Sequence, residues 1–361
     1  MKIAIIHDWL TGMRGGEKCL EVFCELFPEA DIFTLIHNKG TVSPVIEKMN
    51  IRTSFLQKFT GIKDNYRSYL PLFPAAINGF DLKGYEFILS SSHCVAKGVR
   101  IPKGALHICY CYTPMRYAWL FFDEYFGKYN PVKKAAIKTV TNYLRNWDLK
   151  TNSDVDFFAA ISDNIRLRIE RLYNRQAKVI YPPVDTGHFV LSEKDNEYYL
   201  IVSALVPYKR VDIAVEAFNR LDKRLIVVGT GNCQDELKKK SGNNIEFAGW
   251  ADDNALKEYY KNCRALIFPG EEDFGIVPLE AQSCGKPVIA FAKGGALETL
   301  TEETAVFFKN QSVPALIEAV NEFESKKNTF SPETIRNNSL RFDREIFKEK
   351  IKKFMEEKLY A

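Results

Sequence analysis

The chain has 361 residues, 46% hydrophobic and 27% charged, which excludes a disordered protein and suggests two folded domains. Its net charge of +4, with no run of Lys or Arg, points away from nucleic acid as a partner. Its eight cysteines show no paired spacing, so a disulfide framework is not expected and a reducing cytosol is.

Lys2 to His7 predicts a buried strand. Its apolar core, Ile3-Ala4-Ile5-Ile6, is far too short for a signal peptide or a membrane span, and no later stretch of 18 or more apolar residues occurs. The expectation is a cytoplasmic protein. Glu17 to Phe27 carries Leu20, Phe23, Leu26 and Phe27 on one helical face. Strands are predicted at Phe87 to Leu89, His107 to Cys111 and Phe157 to Ile161. Ser162 reads as the N-cap of a helix through Tyr173, and a strand at Val179 to Tyr181 precedes Pro182-Pro183. The second half predicts six strands: Tyr199 to Ser203, Leu225 to Val228, Ile245 to Ala248, Ala265 to Phe268, Val288 to Phe291 and Ala305 to Phe308. Helical patterns separate most of them, at Val211 to Leu221, Gln234 to Lys240, Asn254 to Asn262 and Gly275 to Cys284. Pro332 to Tyr360 reads as one or two charged helices. Such alternation predicts two doubly wound α/β domains meeting near Pro182 to His188, with a ligand at the carboxyl ends of the strands.

Three loops carry candidate chemistry. The first strand leads into Arg14-Gly15-Gly16-Glu17, where two glycines leave amides open at a helix start, suited to an anion or simply to a tight turn. The spacing is not that of a dinucleotide fingerprint. Next, Tyr208-Lys209-Arg210 brings two cations to the mouth of a helix, where they can hold a diphosphate or remain a solvated pair. The third is Glu272-Asp273-Phe274-Gly275-Ile276-Val277-Pro278-Leu279-Glu280. Here Glu272 falls in a loop and Glu280 inside the helix that follows. The amides of Gly275, Ile276 and Val277 can receive phosphate oxygens, and Glu280 can accept both hydroxyls of a ribose. Asp154-Val155-Asp156 imitates a metal-binding triplet and reads as surface charge.

The run from Glu272 to Glu280-Ala281 and on through Cys284-Gly285-Lys286-Pro287 resembles the paired-glutamate signature of retaining family 4 glycosyltransferases. Gly15-Gly16-Glu17, Tyr181-Pro182-Pro183-Val184-Asp185 and Phe247-Ala248-Gly249-Trp250 fall in the expected order, so the likeness spans nearly the whole chain. Ser90-Ser91-Ser92-His93 and Cys109 to Trp119 are similar to bacterial mannosyltransferases of O-antigen and related polysaccharide assembly. The resemblance implies the GT-B fold: two Rossmann-like domains facing a cleft, the first of residues 1–185, completed by a C-terminal helix at about 340–361 that crosses back, and the second of residues 186–339. It implies transfer of a hexose, mannose from GDP-mannose or else a sugar from UDP-glucose or another UDP-hexose, to a glycan or polyprenyl-linked acceptor. Lys209, Glu272 and His93 would be catalytic. Gly15, Gly16, Lys209, Arg210, Gly249, Trp250, Phe274, Gly275, Ile276, Val277 and Glu280 would bind the donor, and Tyr112 and Arg116 the acceptor. No metal or cofactor is expected. The family often has Arg at the place of Ala204, so Arg210 is expected to share the phosphate contact with Lys209 or the clamp is altered. Tyr112 stands where His is expected.

Residues 131–150 place Lys133, Lys134, Lys138, Arg145 and Lys150 around an apolar stripe of Ile137, Val140, Tyr143, Leu144 and Trp147. That stripe is expected to pack on the sheet, with peripheral contact to the inner membrane leaflet as a further expectation. Two other classes remain: a nucleotide-cofactor oxidoreductase, which lacks its glycine fingerprint, and a non-catalytic sugar-binding protein, favoured only by Ala204.

Overall fold

The computed structural model describes residues 1–120, 122, 126, 127 and 129–359. The chain divides into two compact units, Met1–Pro183 with the tail from Phe347, and Val184–Ile346.

The first unit is built on seven strands: β1 (Ile3–His7), β2 (Asp31–Thr34), β3 (Asn50–Thr53), β4 (Phe87–Ser92), β5 (Leu106–Cys111), β6 (Phe157–Ala160) and β7 (Ala177–Val179). Their order is β3-β2-β1-β4-β5-β6-β7, and every neighbouring pair is parallel. Helices return the chain between strands, among them α1 (Gly15–Leu26), α2 (Pro131–Lys150) and α3 (Asp163–Tyr173). Ser162 caps α3 by accepting the amide of Ile165 at 3.1 Å. Two strands, β2 and β3, have no counterpart in the sequence reading. Each is four residues long, and β3 alternates exposed and half-buried positions at the sheet edge, so no apolar run announces it. The strand expected at Val179 to Tyr181 lies two residues earlier. Ala160 pairs with Val179 and β6 ends there, so no partner strand continues past it.

Along α2 the expected apolar face is only partly realised. Leu144 is buried beside Thr141 and Asp148, while Tyr143 stays exposed at the edge of that face. The carboxyl-terminal half is fastened by the buried Lys97, whose Nζ lies 2.9 Å from Asp148 Oδ1; Trp119 and Tyr173 donate to Asp148 Oδ2 at 2.8 and 2.7 Å. An ion pair so buried is tolerable only because each member has further hydrogen-bond partners. The amino-terminal half, residues 131–140, has no buried residue.

The second unit has six strands: β8 (Tyr198–Val202), β9 (Arg224–Val228), β10 (Ile245–Gly249), β11 (Ala265–Phe268), β12 (Val288–Phe291) and β13 (Ala305–Phe308). They follow the order β10-β9-β8-β11-β12-β13, again all parallel. Apolar residues on both faces of this sheet form two cores, as a parallel sheet covered by helices requires. The covering helices are α4 (Val211–Leu221), α5 (Gln234–Lys240), α6 (Asp253–Asn262), α7 (Ile276–Ser283), α8 (Val313–Lys326) and α9 (Pro332–Leu340). The tail helix α10 (Arg344–Leu359) buries Phe347, Ile351, Phe354 and Met355. Within the first unit the Phe347 ring meets Phe23 and Tyr110 at centroid separations of 5.9 and 5.6 Å.

All eight cysteines are thiols outside any disulfide, seven of them buried and Cys233 half-buried. Burial pushes the Cys24, Cys263 and Cys284 thiols up to about 12. Among the described residues no helix is long and apolar enough to cross a membrane.

Candidate active site

Because all six strands of the second unit are parallel, the loops that follow them leave from one edge of the sheet. After β8 the chain makes a single tight turn, Pro207–Lys209, which Arg210 ends in the left-handed region at φ 53° before α4 begins. Lys209 Nζ pairs with Glu272 Oε1, and both side chains are mostly buried. This contact joins the loop after β8 to the loop after β11. Arg210 is turned elsewhere: its guanidinium forks onto Asp212 at 3.1 and 3.2 Å and bonds Gln311 Oε1 at 3.2 Å. Asp212, in the first turn of α4, holds the fork first.

From Glu272 the loop runs to Gly275, whose φ of +96° lets the chain turn into α7. Pro278 falls in the first turn of α7, where the absent N–H has no helical acceptor to lose. The first amides of α7 have no intrahelical partner and sit at the positive end of the helix dipole. Glu280, one turn further in, is buried and accepts the Tyr260 hydroxyl at 2.8 Å. Burial pushes the Tyr260 phenol well up, and the Glu280 charge adds to this, so it stays a donor. Phe274 is not an open face: its ring is buried 5.7 Å from that of Phe342, leaving its backbone to the loop. Gly249 ends β10 at φ +75° and accepts the Gly229 amide at 2.6 Å, while Trp250 beside it is 76% exposed.

The loop after β12 supports this arrangement. Gly294 forms a parallel bridge with Glu272, and the Gly295 amide donates to Glu272 O at 2.9 Å. A Cβ at Gly294 would stand 2.3 Å from Glu272 O, and one at Gly295 2.2 Å from Phe274 O. Only glycine lets the two loops lie this close.

In the first unit the carboxyl ends of β1, β4 and β5 assemble a second polar cluster. Asp8, directly after β1, is wholly buried and accepts the amides of His93, Cys94, Val95 and Ala96 at 2.7 to 2.9 Å. His93 Nδ1 lies 3.1 Å from Asp8 Oδ2. Burial alone would raise the Asp8 carboxyl, but the charge and hydrogen bonds of His93 outweigh it and hold the group below its ordinary range. Next to it, His7 Nδ1 lies 2.9 Å from Ser91 Oγ and Nε2 lies 3.6 Å from Glu17 Oε1. Glu17 also accepts the Arg14 amide at 3.1 Å, which fixes the start of α1 at Gly15 and Gly16. Tyr112, expected at the acceptor, has its hydroxyl committed: it donates to Gly16 O at 2.9 Å and meets Ser91 Oγ at 2.8 Å. It props the glycine turn from behind. Arg116 opens the short helix Arg116–Trp119 and is partly buried.

Thus Lys209 and Glu272 meet directly in the second unit, the latter in the loop that leads to Gly275–Glu280, and Gly16, His93 and Tyr112 cluster in the first. Sequence reasoning passed over Asp8, Tyr260 and the Gly294-Gly295 pair. Two glycines in the short loop after a strand were the available signal for the last, and an Asp directly after a buried strand for the first. The Asp154-Val155-Asp156 triplet is more than surface charge: Asp156 Oδ2 accepts the His107 amide at 2.8 Å and Asp154 O faces His107 Nδ1 at 2.7 Å, which ties down the start of β5.

Residues 186–340 match the family model of glycosyl transferases group 1. The chain is 30% identical over 157 residues to an uncharacterized glycosyltransferase of Methanocaldococcus jannaschii, covering 42% of this chain and 44% of that one. It is 26% identical over 199 residues to the O-antigen chain mannosyltransferase C of Escherichia coli, covering 49% of this chain and 53% of the relative. The chain therefore spans about half the length of the curated relatives it matches. Among solved structures, Anabaena HepE in complex with UDP superposes with a TM-score of 0.73 at 16% identity, over 99% of this chain and 100% of that one. At that identity the likeness carries the fold alone: each of the two units is Rossmann-like, the fold of the GT-B class.

Proposed function

We propose that the protein is a retaining hexosyltransferase that moves mannose from GDP-mannose to a hydroxyl of a glycan or lipid-linked acceptor in cell-surface polysaccharide synthesis. One observation carries the reading: the Lys209 ammonium, on the loop after β8, is held by Glu272 on the loop that opens into the amide-rich start of α7. A diphosphate placed there meets an ammonium and a helix N-terminus together. Its charge grows as the anomeric carbon–oxygen bond to the β-phosphate breaks, so both groups bind the transition state more strongly than the ground state. Glu280 holds the ribose hydroxyls, Trp250 and Gly249 lie towards the base, and Glu272 contacts donor sugar hydroxyls. The new bond forms on the face the leaving group departs from, and the acceptor proton passes to the departing phosphate oxygen. No side-chain nucleophile is required. Positive charge that other transferases draw from a divalent ion comes here from Lys209 and the α7 amides, so a chelator is expected to leave turnover unchanged.

Mannose is favoured by the mannosyltransferase among the relatives, and UDP bound to the Anabaena neighbour supports a second reading with a UDP-hexose donor. The bare amino-terminal half of α2, with Lys133, Lys134 and Lys138, is the proposed contact with an anionic leaflet. The test incubates the protein with GDP-mannose and UDP-glucose and follows nucleoside diphosphate release, with the anomeric configuration of the product read by NMR. Lys209→Ala is expected to lower kcat by about 100-fold or more, the usual loss of one charge-stabilising donor. Binding of NAD with no response to either nucleotide sugar would replace this reading with an oxidoreductase.

A further inference from the structure

We propose that the buried Asp8 carboxylate is a positioning residue for His93, fixing its imidazole with Nδ1 protonated and Nε2 left to meet substrate; this rests on the transfer reaction proposed above. Asp8 is inaccessible to water, yet it is matched by five donors: four consecutive amides and the His93 ring. A carboxylate serving only to cap the turn Ala96–Gly98 would need the amides alone. The fifth contact is to a side chain that remains 31% exposed. An ionised carboxylate accepts only, so the ring nitrogen facing it must carry hydrogen. The opposite nitrogen, Nε2, is then a lone-pair acceptor in the neutral ring and a second donor in the imidazolium.

The ring plane is set independently. Trp9, adjacent to Asp8 in sequence, meets the His93 ring edge-on at 4.4 Å. The groups facing His93 from the surrounding elements are Asp8 and His7 from the end of β1, Glu17 from α1 through His7, and Tyr112 after β5. His7 makes the contrast. It is wholly buried, with Nδ1 on Ser91 and Nε2 towards Glu17, so neither nitrogen faces outward. Of the two histidines, His93 alone combines an orienting carboxylate with an exposed edge.

The experiment has two arms on the full-length protein. In the first, long-range proton–nitrogen NMR reads the tautomer of His93, assigned by loss of its signal in His93→Gln. Protonation at Nδ1 is expected, and protonation at Nε2 in the neutral ring overturns the proposal. This arm needs no substrate, so it separates failure of the pairing from failure of the transferase reading. In the second, kcat and KM are measured for Asp8→Asn, His93→Gln and the double variant with whichever of GDP-mannose or UDP-glucose is turned over. Misorienting a contact group costs about 100-fold, and that loss is expected in kcat for each single variant, with the double variant no worse than His93→Gln. Nucleoside diphosphate affinity and melting temperature report whether Asp8→Asn still folds. A loss from Asp8→Asn that persists undiminished in the His93→Gln background would make Asp8 purely structural and overturn the proposal.

Discussion

Replacing the Tyr260 hydroxyl by hydrogen isolates what a buried phenol does for Glu280. Tyr260→Phe keeps the ring against Phe189, 5.5 Å away, and removes only the donor at 2.8 Å. A hydrogen bond to a charged group is worth about 1.5–3 kcal/mol, so GDP or UDP affinity is expected to fall on the order of 10-fold. The 2′,3′-dideoxy analogue, with no diol for Glu280 to hold, is expected to show a much smaller change. Calorimetric titration of both ligands into both proteins decides it; equal losses would mean that Tyr260 acts through the fold and not through the ribose contact. Lys209, Glu272 and Glu280 were legible in the sequence because each stands in a short local pattern between a strand and a helix. Asp8 and Tyr260 were not, because their partners lie 85 and 20 residues away in the chain. The fork of Arg210 onto Asp212 was also not anticipated, although that carboxylate is only two positions on.

The loop after β12 shows how closely the elements around α7 are fitted. In Gly295→Ala the new methyl would meet the Phe274 carbonyl at 2.2 Å, and neither partner is a flexible side chain. The backbone of one loop must shift. Forced overpacking of this kind costs about 1–3 kcal/mol, and the shift lands on the segment that leads into α7. The expected outcome is a lower melting temperature together with weakened nucleoside diphosphate binding, while Gly79→Ala, where a Cβ makes only ordinary contacts at 3.4 Å, leaves binding unchanged. Retained affinity in Gly295→Ala would show that the α7 entry tolerates displacement. Helices α3 and α4 were readable almost to the residue, because a polar cap or a turn precedes strong apolar periodicity. The short strands β2 and β3 were hidden, since four residues at or near a sheet edge carry too little pattern to register.

At the scale of the whole molecule, each sheet holds its own core, and charge pairs at the periphery set how that stability responds to acid. Burial alone would raise Glu324, but the Tyr199 hydroxyl at 2.6 Å and Lys223 at 3.1 Å outweigh it and bring its carboxyl down to about 2 from an ordinary 4.5. The folded value lies below the unfolded one, so the stabilisation is complete above pH 4.5 and is lost as pH falls through about 2. Glu324→Gln is therefore expected to flatten the decline in melting temperature across that window; an unchanged slope would assign the acid sensitivity elsewhere. Two α/β units were foreseeable from strand–helix alternation alone, whereas the join of the tail to the first unit was expected only from the family resemblance and rests on the packing of Phe347 on Phe23 and Tyr110. The distribution of thiols has a practical corollary. Seven sulfurs are shut inside the cores, and the eighth, Cys233, stands half open in the loop between β9 and α5, where its amide bonds Leu205 O at 3.0 Å. A maleimide dye added to the native protein would settle on that one position, on the strand edge from which Lys209 and Trp250 also emerge. The unmodified polypeptide thus comes with a built-in attachment point for an optical reporter of ligand occupancy.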